Sequence, residues 1–287
     1  MTRVAAVVVN YNARAYLVDC VRSLHDAGVD NVVVADNAST DTSVAELQQS
    51  EPWVRVVETG ANFGYGGGVN RGVAAIANDD ADVLLVCNAD LIVDPGAAKA
   101  LVAALEADAD LGIVGPRIDN TDGTLYPSAR IVPNPLDAAG HAFLGLIKPN
   151  NRFTRRYRLL DWDHASARRV DWVSGACFAI RRDLFDRLGG FNENYYMYLE
   201  DIDLCHRAGK LGAGVGYDPA AHVMHVGGVS TRQLPYRMLA EHHRSVLRWW
   251  WTSHTWPARA LVPLVALGLG ARFVLSVVVR SVRPPAD

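Results

Sequence analysis

The sequence predicts an α/β fold: a mainly parallel, open sheet with helices on both faces. Three observations carry this. Short β-branched runs such as RVAAVVVN and NVVVADN recur along the first 118 residues. Segments with helical spacing separate them. Half of the 287 residues are apolar, enough to bury a sizeable core. Strands that alternate with helices at short spacing form parallel sheets covered on both sides, and such sheets bind ligands beyond the carboxyl ends of their strands.

The elements follow in order. RVAAVVVN (3–10) is a strand buried on both faces. Residues 14–27 place Leu17, Cys20, Val21 and Leu24 on one helical face. NVVVADN ends a second strand at Asp36, and Ser39, Thr40 and Asp41 offer caps for the next helix. WVRVVET is a third strand, and 66–77 a glycine-led helix. DVLLVCN is a fourth strand; a helix with proline near its first turn covers 95–107, and LGIVGPRI is a fifth strand. Beyond Ile118 the alternation weakens. Residues 121–148, rich in Pro, Gly and Asn, are expected to be loop-like. A strand over RRVDWVSGACFAIRR, a short helix DLFDRLG, a tyrosine-rich loop, a helix over about 199–209 and a short strand and turn HVMHVGG complete a unit of residues 1–230. The weakening after Ile118 divides it into halves of about 1–118 and about 119–230. A basic and apolar helical region, 231–287, follows.

Charge and cysteine usage narrow the classes. The net charge of −3 averages unlike regions. Seven Lys/Arg lie in 148–169 against Asp161 and Asp163, and eight Arg lie in 232–287 against Glu241 and Asp287. Such asymmetry suits an anionic partner, either lipid headgroups or a phosphorylated ligand. No nucleic-acid module accompanies the basic stretches. The four widely spaced cysteines lack zinc spacing and fit buried free thiols. No signal-peptide layout opens the chain. The apolar stretch 260–279 carries Pro263, two glycines and Arg272, which suits an interfacial or re-entrant segment better than a clean span. A helix buried in the core or in a dimer interface is the alternative.

Polar residues interrupt the sheet where ligands bind. Asn10-Tyr11-Asn12, Asp36-Asn37, Asn62 and Asn88-Ala89-Asp90 all follow strands. Asp36 could accept hydrogen bonds from a ribose or a base N–H, or form a turn. No GxGxxG follows the first strand and no GxxxxGK[ST] is present, which excludes an NAD-type or P-loop nucleotide setting. Asp90 could supply the single carboxylate that a diphosphate-bound Mg2+ or Mn2+ needs, with Asn88 a weaker amide ligand; the competing reading is a plain turn. Glu200, Asp201 and Asp203 crowd a helix start, either to complement its dipole or to form a general base flanked by acids. His222 and His225, three apart in a strand, face different ways, so only one could join Asp90 at a metal.

Taken together, VVVNYN, DNASTD, NFGYGGGVNRG, CNADLIVDP, WVSGACFAIRRDLF, GGFNENYYMYLEDIDLCHRAG and HVMHVGG, in that order over residues 3–230, resemble the inverting family 2 glycosyltransferases. That family has the GT-A (Rossmann-like) fold. GPRIDNTDGTLYPSARIVPNP and YYMYLEDIDLCHR look most like rhamnosyltransferases that act on N-acetylglucosaminyl-diphospho-polyprenol in cell-wall assembly.

The resemblance implies a set of roles. Asp201 is the catalytic base. Asp36 binds the donor's base, and Asn10, Tyr11, Asn12, Asn62, Gly66, Asn70, Asn88 and Asp90 line the donor pocket. Asp90 and His225 hold Mg2+ or Mn2+, and Asn88 departs from the family's usual Asp. Trp172, Ser174, Gly175 and Glu200 shape the acceptor pocket, with core packing the other reading of Trp172. The implied partners are a nucleotide-sugar donor such as dTDP-L-rhamnose, a polyprenyl-diphosphate-linked glycan, and a membrane surface met through the C-terminal region. The implied location is peripheral, on the cytoplasmic face of the plasma membrane. Homo-oligomerisation is left open, as are another donor sugar and a catalytically silent nucleotide-sugar-binding scaffold.

Overall fold

The computed structural model of the protein describes residues 2–77, 80–227 and 235–282. The domain boundary expected at residue 230 falls outside them. The first half runs β1 (Val4–Asn10), α1 (Tyr16–Asp26), β2 (Asn31–Asp36), α2 (Ser43–Ser50), β3 (Arg55–Glu58), α3 (Gly64–Ala74), β4 (Val83–Asn88), β5 (Leu91–Val93), α4 (Ala97–Ala107) and β6 (Leu111–Asn120). Then come β7 (Leu125–Tyr126), β8 (Ala129–Arg130), α5 (Pro135–Leu144), α6 (Arg152–Tyr157), β9 (Arg168–Val170), β10 (Trp172–Val173), β11 (Cys177–Arg181), α7 (Arg182–Leu188), α8 (Glu200–Lys210), β12 (Gly214–His225), α9 (Pro235–Ser253) and α10 (Val262–Val282).

The main sheet has the order β3-β2-β1-β4-β11-β6-β12-β5. Strands β3, β2, β1 and β4 are parallel, as the buried runs predict. The later part is mixed. β11 is antiparallel to both β4 and β6, β12 is parallel to β6, and β5 is antiparallel to β12. The reason lies at the sheet's rim. The Asn88 N–H at the end of β4 donates to the Ala176 carbonyl (2.9 Å), so the chain enters β11 at that rim and must run back along β4.

Alternate residues of β1 serve two cores. Ala6 and Val8 pack with Leu17, Leu24 and Leu47 under α1 and α2. Val7 and Val9 pack with Val69, Phe178 and Ile202 under α3 and α8. This is the period-2 pattern of a strand buried on both faces. α3 lies close to the sheet because it is glycine-rich: a Cβ at Gly72 would stand 2.5 Å from Val7 Cγ1. The four cysteines are buried free thiols, as expected.

Three expectations change. Residues 121–148 are not wholly loop. They hold β7, β8 and α5, and the Asn134 side chain caps α5 by accepting from the Asp137 N–H (2.9 Å). The segment read as one strand over 168–182 divides into β9, β10 and β11, with β10 pairing β8 in a separate two-stranded ribbon. HVMH is the end of a 12-residue strand, β12. In the C-terminal region α9 and α10 pack together. The stretch Ala258–Val278 has mean hydropathy 2.2 and is long and apolar enough to cross a membrane, and only 6% of it is buried within this chain. That rules out a core-buried helix. Pro263 lies in the first turn of α10, where a proline is tolerated, so the helix runs on unbroken.

Candidate active site

Parallel strands place their carboxyl ends on one rim, and here the register pairs Asn10 with Asp36 and Val9 with Asn88. At the β1/β2 end Asp36 is buried among donors. Its Oδ1 accepts from Asn10 Nδ2 (2.8 Å) and Ser39 Oγ (2.5 Å), and its Oδ2 accepts from the Ser39 N–H (3.0 Å). Asn10 Nδ2 also reaches Ser43 Oγ (2.9 Å), while its Oδ1 is buried without a hydrogen-bond partner among the described residues. An orphaned acceptor beside a carboxylate is a ready partner for the N–H of a ligand. Asn12 has left-handed backbone (φ 53°), as does Ala38 (φ 60°), and Asn12 Oδ1 accepts from the Thr40 N–H (2.7 Å). The Asn12–Thr40 bond thus ties the loop after β1 to the loop after β2. Tyr11 is partly buried beside them.

The Asn88-Ala89-Asp90 turn joins β4 to β5, and β5 pairs β12 with Leu91 opposite His225. That register brings His225 Nε2 to Asp90 Oδ1 (3.0 Å) and Asn88 Nδ2 (3.3 Å). Both Asp90 and His225 are buried. The set is one carboxylate, one imidazole and one amide. Among the described residues no three His, Cys, Asp or Glu side chains form a metal cluster. Two protein ligands fit a divalent ion that completes its shell with phosphate oxygens and water. His222 is separate: it bonds Asp94 Oδ2 (2.6 Å) and Asp119 Oδ2 (3.1 Å). Burial opposes its proton, yet these two carboxylates raise its pKa.

Asp201 meets the same rim. Its Oδ2 accepts from the Gly175 N–H (2.9 Å) and its Oδ1 from the Ile202 N–H (2.9 Å). Gly175 adjoins Ala176, whose carbonyl holds the Asn88 N–H. Asp90 and Asp201 are therefore tied through neighbouring residues of one edge. Burial raises the Asp201 pKa, against the two N–H donors and the positive Arg130. Glu200 is more deeply buried, and its Oε2 has no partner in the protein. Desolvation first, then the Asp201 charge, raises its pKa well above the usual range. The two acids differ in what opposes that rise: N–H donors from Gly175 and Ile202 and the charge of Arg130 favour the charged form of Asp201, whereas Glu200 has no comparable support from charged or side-chain groups. Tyr198 (φ 67°) and Leu199 (φ 64°) enter α8 in left-handed backbone, the strain expected where a loop presents a working side chain.

The remaining residues sort by their contacts. Ser174 Oγ lies 3.4 Å from the Tyr126 hydroxyl, and Trp172, buried, donates from Nε1 to the Ile131 carbonyl (3.2 Å). Asn62 accepts from the Gly64 N–H (2.9 Å). A Cβ at Gly66 would stand 2.8 Å from Phe191 Cβ. Asn70 clamps the Phe191 backbone, accepting from its N–H (2.8 Å) and donating to its carbonyl (2.9 Å). Gly66 and Asn70 thus fix the loop after α7.

Sequence reasoning missed three residues, Tyr65, Tyr126 and Arg130, and placed Asn37 at a strand end without a role. Asn37 donates to the Gly64 carbonyl (2.8 Å). The Tyr65 hydroxyl donates to the Gly175 carbonyl, bracing the residue that holds Asp201. Tyr126 lies edge-on to His225 (5.9 Å) and within 3.2 Å of Arg130 Nη2, so it links the metal-type residues to the acceptor side. Arg130 lies over the ring of Trp172 (4.8 Å). Burial works against its charge, but Tyr157, Tyr126 and Asp201 outweigh that and keep its pKa high. SAR in GTLYPSAR held the arginine but gave no sign of the aromatic cage. Two open clefts, of about 710 and about 610 Å3, lie away from this rim: one beside α6, the other between the loop after α7 and α9. Volume is therefore a poorer guide to this site than the converging polar side chains.

Comparison with known proteins agrees. The glycosyl transferase family 2 profile matches residues 5–189. An N-acetylglucosaminyl-diphospho-decaprenol L-rhamnosyltransferase of Mycobacterium tuberculosis is 38% identical over 250 residues, covering 82% of this chain and 81% of the relative. Among solved structures, a mannosyltransferase from Pyrobaculum calidifontis in complex with GDP-Man and Mn2+ is 18% identical, with TM-score 0.53, over 99% of this chain and 76% of its own. GalNAc-T7 with UDP, GalNAc and Mn2+ is also 18% identical, with TM-score 0.57, over 78% of this chain, which spans 43% of that protein. At such identity these two likenesses speak for the fold.

Proposed function

The chain belongs to glycosyl transferase family 2 and has the GT-A fold, and on that premise we propose that it is an inverting rhamnosyltransferase. It moves L-rhamnose from dTDP-L-rhamnose to N-acetylglucosamine carried on a polyprenyl diphosphate. The observation that carries this reading is the shared edge: Asn88 bonded to Ala176, and Asp201 bonded to the adjoining Gly175. A donor anchored at Asp36 and an acceptor hydroxyl at Asp201 can then meet. The M. tuberculosis relative supports the acceptor class.

The chemistry follows from the side chains. Asp201, ionised and held by two N–H groups, takes the proton of the acceptor hydroxyl as that oxygen attacks the anomeric carbon from the face opposite the diphosphate. A base of this kind is typically worth about 10²–10⁴ in rate. Fixed N–H donors keep the carboxylate aimed, and holding both substrates supplies much of the remaining acceleration. Neutral Glu200 beside it avoids a second charge. Asp36 and Asn10 orient the donor base. Asp90 and His225, with Asn88 beside them, would hold Mg2+ or Mn2+. When bound, such an ion neutralises charge on the departing diphosphate. The bound Mn2+ in the two solved relatives supports a divalent ion without choosing between the two.

The polyprenyl acceptor explains the C-terminal region. Leu264, Leu267 and Val274 of α10 are more than half exposed, with Trp251 and Trp256 nearby, which suits a peripheral seat on the cytoplasmic face. The test incubates the purified protein with farnesyl-diphospho-N-acetylglucosamine and a panel of nucleotide sugars, with and without Mg2+ or Mn2+, and follows the lipid product by mass spectrometry. A rhamnosylated lipid formed only with dTDP-L-rhamnose and metal is expected. Preference for another sugar overturns the donor assignment, and no product with any donor overturns the enzyme.

A further inference from the structure

Beside the ribbon that carries Trp172 two half-buried arginines gather, Arg130 and Arg158, and among the described residues no carboxylate bonds either of them. Arg130 is sandwiched by Tyr126 (5.6 Å), Tyr157 (5.8 Å) and Trp172 (4.8 Å), and makes no ion pair among the described residues. Arg158, one residue beyond Tyr157, has a buried Nε with no hydrogen-bond partner. Burial lowers its pKa, and the charge of Arg130 lowers it further, so the two guanidinium groups feel each other. Keeping like charges together out of water is costly unless an anion joins them. A guanidinium fork fits a phosphate.

The contacts also give the cluster a direction. Arg130 lies opposite Trp172 in the β8/β10 ribbon, and that ribbon leads directly to Ser174, Gly175 and so to Asp201. On the other side Arg130 Nη1 meets the Tyr157 hydroxyl (3.5 Å), and the Tyr157 ring lies tilted against His141 of α5 (4.8 Å). The neighbouring Ala142 carbonyl accepts from Arg272 Nε of α10 (2.9 Å), and Arg272 Nη1 meets His243 of α9 (3.1 Å). The order of chemistry is thus a carboxylate, caged cations, and then a helix whose Val274, Leu275 and Val278 are exposed. A prenyl-diphosphate sugar has the same order: hydroxyl, diphosphate, hydrocarbon.

We propose that Arg130 and Arg158 form the subsite for the diphosphate of a prenyl-linked acceptor, with the prenyl chain leaving toward α10. This rests on the acceptor class proposed above and adds the residues that read its charge. The sugar hydroxyl then reaches Asp201 because the diphosphate is fixed one sugar ring away.

The test uses farnesyl diphosphate, farnesol, inorganic pyrophosphate and dTDP as probes in isothermal titration of the full chain and of Arg158→Gln. Farnesyl diphosphate should bind the wild type and lose at least about tenfold in affinity in the variant. Farnesol should bind weakly to both, and dTDP should change by less than about twofold. Removal of an uncompensated buried charge should leave the melting temperature equal or higher, which separates loss of a subsite from loss of fold. Equal binding of farnesyl diphosphate by both proteins overturns the proposal. So does a loss confined to dTDP, which would give the arginines to the donor. Inorganic pyrophosphate binding as tightly as farnesyl diphosphate would mark a free-phosphate site instead, and vesicles of phosphatidylglycerol that bind the wild type but not the variant, with farnesyl diphosphate unaffected, would mark a headgroup site. Absence of sugar transfer from any donor would sink the activity proposed above while leaving this binding measurement decisive.

Discussion

Acid should loosen the seam between α9 and the loop before α8, and His242 is where the effect can be measured. Its ring lies edge-on to Tyr198 (5.5 Å), and its Nδ1 is buried without a partner. Burial, then the positive charge of Arg272, push its pKa from 6.5 down to about 3. The folded protein therefore refuses a proton that the unfolded chain accepts below 6.5. The stability contributed by neutral His242 is complete above that pH and is lost as the pH falls toward the folded value. Each pH unit in this window costs about 1.4 kcal/mol, or about 2 kcal/mol between pH 7 and pH 5. His141, pushed down to about 4 by burial and the charges of Arg158, Arg272 and Arg130, adds a contribution in the same direction. It is only partly buried, so solvent screening makes that contribution the smaller one. The assay is urea unfolding at pH 7 and pH 5 for the wild type and for His242→Phe, which keeps the ring contact and cannot titrate. The variant should lose about 2 kcal/mol less than the wild type over that interval. Equal losses in the two proteins would refute the reasoning.

Three further outcomes follow from geometry. Gly64 has φ +76°, and a Cβ there would run into the Tyr196 carbonyl, so Gly64→Ala should cost more than about 2 kcal/mol in urea unfolding. Asp36→Asn places a donor among donors and should weaken dTDP binding at least about tenfold by calorimetry. His225→Ala should weaken Mn2+ binding in the presence of dTDP by about 10–100-fold, read by electron paramagnetic resonance, while thymidine binding stays near the wild-type value.

The elements legible in the sequence were those that local pattern determines. β1, β2 and β4 are uninterrupted apolar runs, and the polar residues that end them, Asn10, Asp36 and Asn88, do lie on one rim. What escaped was decided by partners far along the chain. β11 inserts antiparallel because Ala176 bonds Asn88, and no periodicity within β11 encodes that. α5 hid because its Leu136, Phe143 and Leu144 are exposed, so it has no apolar face turned to a core. Arg130 carried no distinguishing pattern in the sequence. Its role comes from Tyr126, Tyr157 and Trp172, which only the fold assembles around it. For the same reason the contacts of Gly66 and Asn70 with Phe191, more than a hundred residues away, have no signal in the glycine-led motif itself.

The claim on which this account stands is that Asp201 acts as a base and does not hold the donor. Asp201→Asn keeps the shape and the Gly175 contact but cannot take a proton. Paired measurement of turnover and of dTDP affinity in this variant is the most direct test. The account predicts that kcat falls by about 10²–10⁴ while Kd for dTDP stays within about threefold. Turnover above a tenth of the wild-type rate, or a loss of dTDP affinity as large as the loss of rate, would contradict it.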